Sequence, residues 1–157
     1  MKEVLLFTSL LLVSAAMPPK EKPDEQTIAA MLDDWYDAAD KGDGGRYFSH
    51  FTEDAVFMGT DPDERWALPE FRAHFESRFD GHNAWTYVAS ERHISFSQDH
   101  RTGWFDEKLV SPKYGKLRGT GVVIKLNGVW KIKQYSLTFL IPNDSLQSFV
   151  DLVKTQR

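Results

Sequence analysis

The strongest constraint on this chain is a hairpin near its end, residues 118–138, in which two β-patterned runs meet at Asn127-Gly128. Asn-Gly best tolerates the two positive φ angles of a type I′ turn, so the runs must pair antiparallel. Because side chains alternate across a strand, Trp130, Ile132, Gln134, Ser136 and Thr138 share one face of the second run, with Lys131 and Lys133 on the other. A face that is apolar at one end and neutral-polar at the other suits a pocket wall that begins in core. In the first run Arg118 shares parity with Thr120, Val122, Ile124 and Leu126.

Upstream, the pattern is helical from Asp24. Ile28, Met31, Leu32, Trp35, Tyr36 and Ala39 form one broad stripe, with Asp24 as N-cap and Gly42 as the stop. Tyr47, Phe48 and Phe51 suit a short second helix, Ala55 to Met58 a short strand, and residues 59–66 a loop. Leu68, Phe71, Phe75 and Phe79 stripe a third helix that starts at Pro69 and stops at Gly81. Strand patterns cover Ala84 to Ser97 and Thr102 to Val110. A last helix follows Pro142, with Leu146, Phe149, Val150 and Val153 at helical spacing. This order predicts an α+β domain, helices covering one face of a curved sheet.

Residues 1–16 read as a secretory signal: Lys2 at the start, an apolar stretch from Val4 to Val13, and Ser14-Ala15-Ala16 placing cleavage after Ala16. The stretch falls short of the roughly 20 residues that span a bilayer, so no membrane attachment is expected after cleavage. Residues 17–23, with three prolines, form a linker, and 24–157 a single domain. The expected location is periplasmic or secreted. With no cysteine, disulfides, thiolate metal sites and cysteine nucleophiles are excluded. A net charge of −4 without a long basic run argues against a nucleic-acid partner. The histidines include no His-x3-His pair, and Arg65 interrupts the calcium-loop start at Asp61 and Asp63, so no metal is expected, and no cofactor.

Six pieces in order make the chain resemble the NTF2-like superfamily, and most of all its SnoaL-like branch. They are Trp35-x3-Ala39-x2-Gly42-Asp43, the run 51–57, Gly59-Thr60-Asp61 with Glu64 and Trp66, Trp104-Phe105-Asp106-Glu107, Arg118-Gly119-Thr120-Gly121-Val122, and the run 130–138. The resemblance implies a cone-shaped roll, its helices packed on a strongly curved antiparallel or mixed sheet, with an extra C-terminal helix here. The superfamily includes isomerases, dehydratases, cyclases, hydrolases, binding subunits and assembly hubs, so the fold leaves the reaction open. In its ketosteroid isomerase branch the first helix carries a tyrosine seven positions before a Gly-Asp pair, where this chain has Trp35. That branch's aspartate base falls on Gly59, with Asp61 two residues on.

Asp106 and Glu107 are adjacent on a strand, so one faces the cavity and the other faces out. The resemblance favours Asp106 as the inward one, a candidate catalytic acid or base whose pKa burial among aromatics would raise. Arg118 then pairs with Asp106 or binds an anionic or carbonyl group. Gln134 and Ser136 orient a ligand by hydrogen bonding. Trp35 and Trp66 line the cavity, and His74, in the third helix's stripe, is a base or a rim residue. The expected ligand is a small apolar molecule with a polar end, held between the first and third helices and the sheet. Two other readings stand open. One is a cofactor-independent lyase, isomerase or hydrolase using Asp106. The other is a dimerising assembly module that pairs through an outer sheet face carrying Tyr135, Leu137 and Phe139. A homodimer is expected.

Overall fold

In the computed structural model, residues 24–155 are described; the expected signal at 1–16 and linker at 17–23 lie outside them. Helix α1 (Asp24–Asp40) buries the predicted stripe, with Ile28, Leu32, Trp35, Tyr36, Ala38 and Ala39 all inside. The Asp24 carboxylate accepts hydrogen bonds from Lys125 Nζ at 2.8 Å and Trp130 Nε1 at 3.0 Å. These bonds fix the start of the helix to the far hairpin. Gly42 turns the chain at φ +65°, and a Cβ there would lie 1.9 Å from the His82 carbonyl oxygen, so no side chain fits. Helix α2 (Gly44–Ser49) is capped by Asp43, which accepts from the Arg46 amide at 3.0 Å.

Phe51, expected in that second helix, instead opens strand β1 (Phe51–Met58). Its place beside Ile132 in the sheet decides the matter, since pairing overrides a weak local helical pattern. Strand β2 (Arg65–Ala67) occupies part of the expected loop and pairs with the end of β1. Helix α3 (Leu68–Phe75) is followed by a 3₁₀ turn (Glu76–Arg78), so Phe79 leaves the helix yet still packs on the core. Residues 84–87 are not strand; the Ala84 amide donates to the Ala39 carbonyl at 3.0 Å and the segment crosses the cavity. Strands β3 (Val88–Phe96), β4 (Thr102–Ser111), β5 (Gly115–Leu126) and β6 (Val129–Phe139) follow, then helix α4 (Leu146–Thr155), none of whose residues is buried.

The six strands form one mixed sheet in the order β2-β1-β6-β5-β4-β3. β1 runs parallel to β6, and every other neighbouring pair is antiparallel. The β5–β6 turn has the expected geometry, with φ of 50° at Asn127 and 83° at Gly128. The core is largely aromatic: Phe57 and Phe71 stack at 4.0 Å and 7°, and Trp35 meets Tyr135 edge-on at 4.7 Å. Each such buried ring contributes roughly 1.5–3 kcal/mol by desolvation alone.

Alternation in β6 is broken. Val122 pairs with Gln134 and Val123 with Ile132, which leaves Lys133 as a bulge residue with no partner on β5. Trp130 and Ile132 therefore face in before the bulge, and Tyr135 and Leu137 face in after it. Gln134, Ser136 and Thr138 turn to the outer face. The expected outer apolar patch of Tyr135, Leu137 and Phe139 does not exist: the first two are core, and Phe139 stands at the cavity mouth. Strand β3 carries the same device at Ser90, between the Ala89–Leu109 and Glu91–Lys108 pairs, and this aims Arg92 inward.

Candidate ligand cavity

Helices α1 and α3, the 84–87 segment and the inner face of the sheet enclose a cavity of about 540 Å3. Trp66 and Phe71 stack at 6.1 Å and 24° on one side, and Phe75 meets Trp85 edge-on at 6.0 Å. Trp35 and Tyr36, successive on α1, both reach its wall, as do Tyr47 from α2 and Tyr135 from β6. Trp35 is buried, and its Nε1 makes no hydrogen bond of good geometry, only a loose polar contact with the Tyr47 hydroxyl. A poorly paired buried donor is costly, so a cavity beside it invites an acceptor.

Behind the wall lies a connected polar cluster. Tyr36 donates through its hydroxyl to the Glu107 carboxylate and lies 2.8 Å from the Tyr135 hydroxyl. Arg92 Nε donates to the second oxygen of Glu107 at 2.7 Å. The other arm of Arg92 donates to the Ala29 carbonyl at 3.0 Å and pairs with Asp33 at 2.9 Å. Because the single Tyr36 proton goes to Glu107, Tyr135 is the donor in the tyrosine pair, and its oxygen keeps acceptor capacity. Burial raises the Glu107 pKa above the ordinary carboxylate value, against the pull of Arg92 and Tyr36. Burial likewise lifts Tyr36, Tyr47 and Tyr135 well above an ordinary phenol, and Tyr87 to about 12, so all four hold their protons at neutral pH.

Gly119 on β5 makes this cluster possible. A Cβ there would lie 2.5 Å from the Tyr135 hydroxyl oxygen and 3.2 Å from Glu107 Oε1. Gly121 gives the same room to the Phe105 ring, 2.6 Å from its missing Cβ. Glycine inside a strand marks a close approach, and these two were the one sequence signal for the cluster.

The residues expected to form the site divide sharply. Trp35 and Trp66 line the cavity. His74 is exposed and stacks on Trp66 at 5.7 Å without entering the wall. Asp106 is on the outer face, paired across the strands with His93 and Thr120, and the inward carboxylate is Glu107, fully buried at 0% exposure. Phe105, Glu107 and Leu109 share the buried parity of β4, while Trp104 is 49% exposed. Arg118 faces out with Asp106, so the two expected polar partners lie on the wrong side of the sheet. Gln134 and Ser136 join them there because of the bulge. Glu107, Arg92 and Tyr135 are the polar residues that strand parity missed, whereas Tyr36 stands where the helical stripe puts it.

A mixed six-stranded sheet curved over helices, with a cavity between the layers, is the NTF2-like class of α+β fold. The SnoaL-like domain family matches residues 28–142, and the chain belongs to it. An NTF2-like protein of unknown function from Shewanella oneidensis is similar at 13% identity, with a TM-score of 0.63, 74% of this chain and 100% of that one covered. A protein from Novosphingobium aromaticivorans provisionally named an aromatic ring hydroxylase is 20% identical, with a TM-score of 0.63 over 78% of this chain and 94% of that one. A provisionally named calcium/calmodulin dependent protein kinase II association domain from Xanthomonas campestris is 20% identical, with a TM-score of 0.58 over 86% and 99%. At these identities the likeness carries the fold alone. No curated protein matches the chain in sequence.

Proposed function

We propose that this domain binds a small, largely apolar molecule with a polar end inside the aromatic cavity. The observation that carries the reading is the cavity of about 540 Å3, walled by aromatic rings, with the Nε1 of buried Trp35 short of a well-formed hydrogen bond. That volume lies within the range of small-molecule sites, where an apolar wall with few polar groups is the rule. The test uses a neutral apolar fluorophore, N-phenyl-1-naphthylamine. Saturable fluorescence enhancement is expected, and it should weaken when Thr60→Trp fills the mouth, where Thr60 is exposed. No saturable binding, or binding indifferent to that substitution, defeats the proposal.

A second reading is favoured by one observation, the hydrogen-bonded run from Tyr135 through Tyr36 to buried Glu107. In a cofactor-independent lyase, isomerase or hydrolase, Tyr135 would meet the substrate. Glu107 would then take the acid/base position expected of Asp106, moving a proton through Tyr36. On a found substrate, Glu107→Gln should lower kcat far more than it changes KM; an equal kcat sinks this reading. Export rests on the sequence of residues 1–16, and N-terminal sequencing of the mature protein from its producing cell checks it.

A further inference from the structure

Several of the cavity's acceptors are already engaged. Glu64 Oε2 takes the Thr60 amide at 2.8 Å and the Asp61 amide at 3.2 Å. Ser111 Oγ takes the Lys113 and Tyr114 amides at 3.3 and 3.4 Å. Thr86 Oγ1 takes the Asn83 side-chain amide at 2.7 Å and donates to Asp40 at 2.5 Å. Glu107, behind the wall, is satisfied by Tyr36 and Arg92.

Two neutral groups of the wall keep a proton to donate. Trp35 Nε1 can only donate and makes no hydrogen bond of good geometry, its contact with the Tyr47 hydroxyl being loose. The Tyr87 hydroxyl carries no hydrogen bond among the described residues and stays protonated. Two cations also line the cavity, Arg78 beside α3 and Lys113 in the β4–β5 turn. Among the described residues neither has a carboxylate within ion-pair distance. Each instead rests on an aromatic face, Arg78 at 5.5 Å from the Phe75 ring centre and Lys113 at 4.9 Å from that of Tyr114. The lining also carries one carboxylate, Glu64, whose charge helps to raise the Tyr87 pKa, so the cavity holds two cations against one anion.

We infer that the cavity selects an anion, a carboxylate carried on a planar apolar body. This rests on the reading that the cavity binds small molecules and adds the charge class of the ligand. The rings at the wall take the body, and the rim cations take the carboxylate. Low-dielectric walls around exposed cations focus their field on the entering group. A flat body suits the near-parallel packing of Trp66, Phe71 and Phe57.

The experiment is a calorimetric titration of the full chain with two probes of one shape, naphthalene-2-carboxylate and naphthalene-2-carboxamide. It is run at low and high salt, beside the neutral fluorophore. The carboxylate should bind roughly tenfold tighter at low salt, an advantage that salt reduces. The double variant Arg78→Gln/Lys113→Gln should erase that advantage, bringing the two affinities together. Both residues are exposed, and an unchanged melting temperature would establish that the variant folds. Equal or tighter binding of the carboxamide overturns the inference, and so does a preference that survives the double variant. In both cases fluorophore binding shows that the cavity reading stands. If neither probe nor fluorophore binds, the cavity reading falls and takes the inference with it.

Discussion

Arg92 and Glu107 are direct partners across β3 and β4, joined at 2.7 Å, and Arg92 continues past the sheet to Asp33 and the Ala29 carbonyl on α1. One guanidinium therefore neutralises the carboxylate behind the cavity and ties the first helix to the sheet. Such a pair adds little net stability over an apolar substitute, yet removing one member leaves a charge buried alone.

Arg92→Leu should accordingly cost about 3–5 kcal/mol at neutral pH, read from urea denaturation. The sign of its pH dependence follows from Glu107. Without Arg92 the folded-state pKa of Glu107 rises further above its ordinary 4.5, so the fold binds a proton that the unfolded chain has lost. Stability of the variant should fall as pH rises from 4.5 through that raised value, and the deficit against the parent should shrink in acid. A deficit constant across that window would place the cost elsewhere than in the stranded carboxylate.

Gly119→Ala should destabilise by about 1–3 kcal/mol, the usual cost of overpacking. The new methyl would meet Tyr135 at 2.5 Å and Glu107 at 3.2 Å, so the tyrosine pair must move. Thermal unfolding measures the cost. A shift in tyrosine absorbance on titration with base, earlier than in the parent, would show the hydroxyls loosened.

The bulge predicts an unusual deletion pattern. Removing Lys133 leaves Ile132, Tyr135 and Leu137 at regular alternation, all still facing in. Removing Lys131 sets Trp130 and Ile132 side by side, so one must face out. The first deletion should therefore fold at a cost under about 2 kcal/mol, and the second should lose more than about 4 kcal/mol or fail to fold. Circular dichroism and melting of the two proteins decide it, and equal damage by both would refute the bulge as the source of the parity change.

Asp24→Asn tests the junction of α1 with the hairpin. Hydrogen bonds from Lys125 and Trp130 hold the Asp24 carboxyl below its ordinary 3.8, so its contribution is complete above that pH and fades as pH falls through the lower folded value. The variant should lose about 1 kcal/mol at neutral pH, and the gap should close in strong acid. Acid-limb unfolding curves of the two proteins would show it.

Much of the fold was legible because its signals were local. Asn127-Gly128 fixed a turn, and Trp35, Tyr36 and their stripe fixed a helical face. The site was less legible because it depends on parity, a property that accumulates along a strand and reverses at one bulge. Nothing in Lys133 or Ser90 announces a bulge by chemistry, so Gln134 and Ser136 were placed inside and Tyr135 outside. On β4 no bulge intervenes, and the error was different. Trp104 and Phe105 are both aromatic, so either parity looks apolar, and resemblance favoured the wrong one. Leu109, buried alongside Phe105, carries the correct phase, and Gly119 opposite Glu107 confirms it.

The pairing of β1 with β6 places an early strand against the last one. Until residues 129–139 exist, β1 has only the three residues of β2 beside it, and Asp24 waits for Lys125 and Trp130. Helix α2 and strand β3 reach the apolar stripe of α1 earlier, but its cover is completed only when β6 is in place. Long-range closure of this kind slows folding, because the loop entropy must be spent before the β1–β6 pairing rewards it.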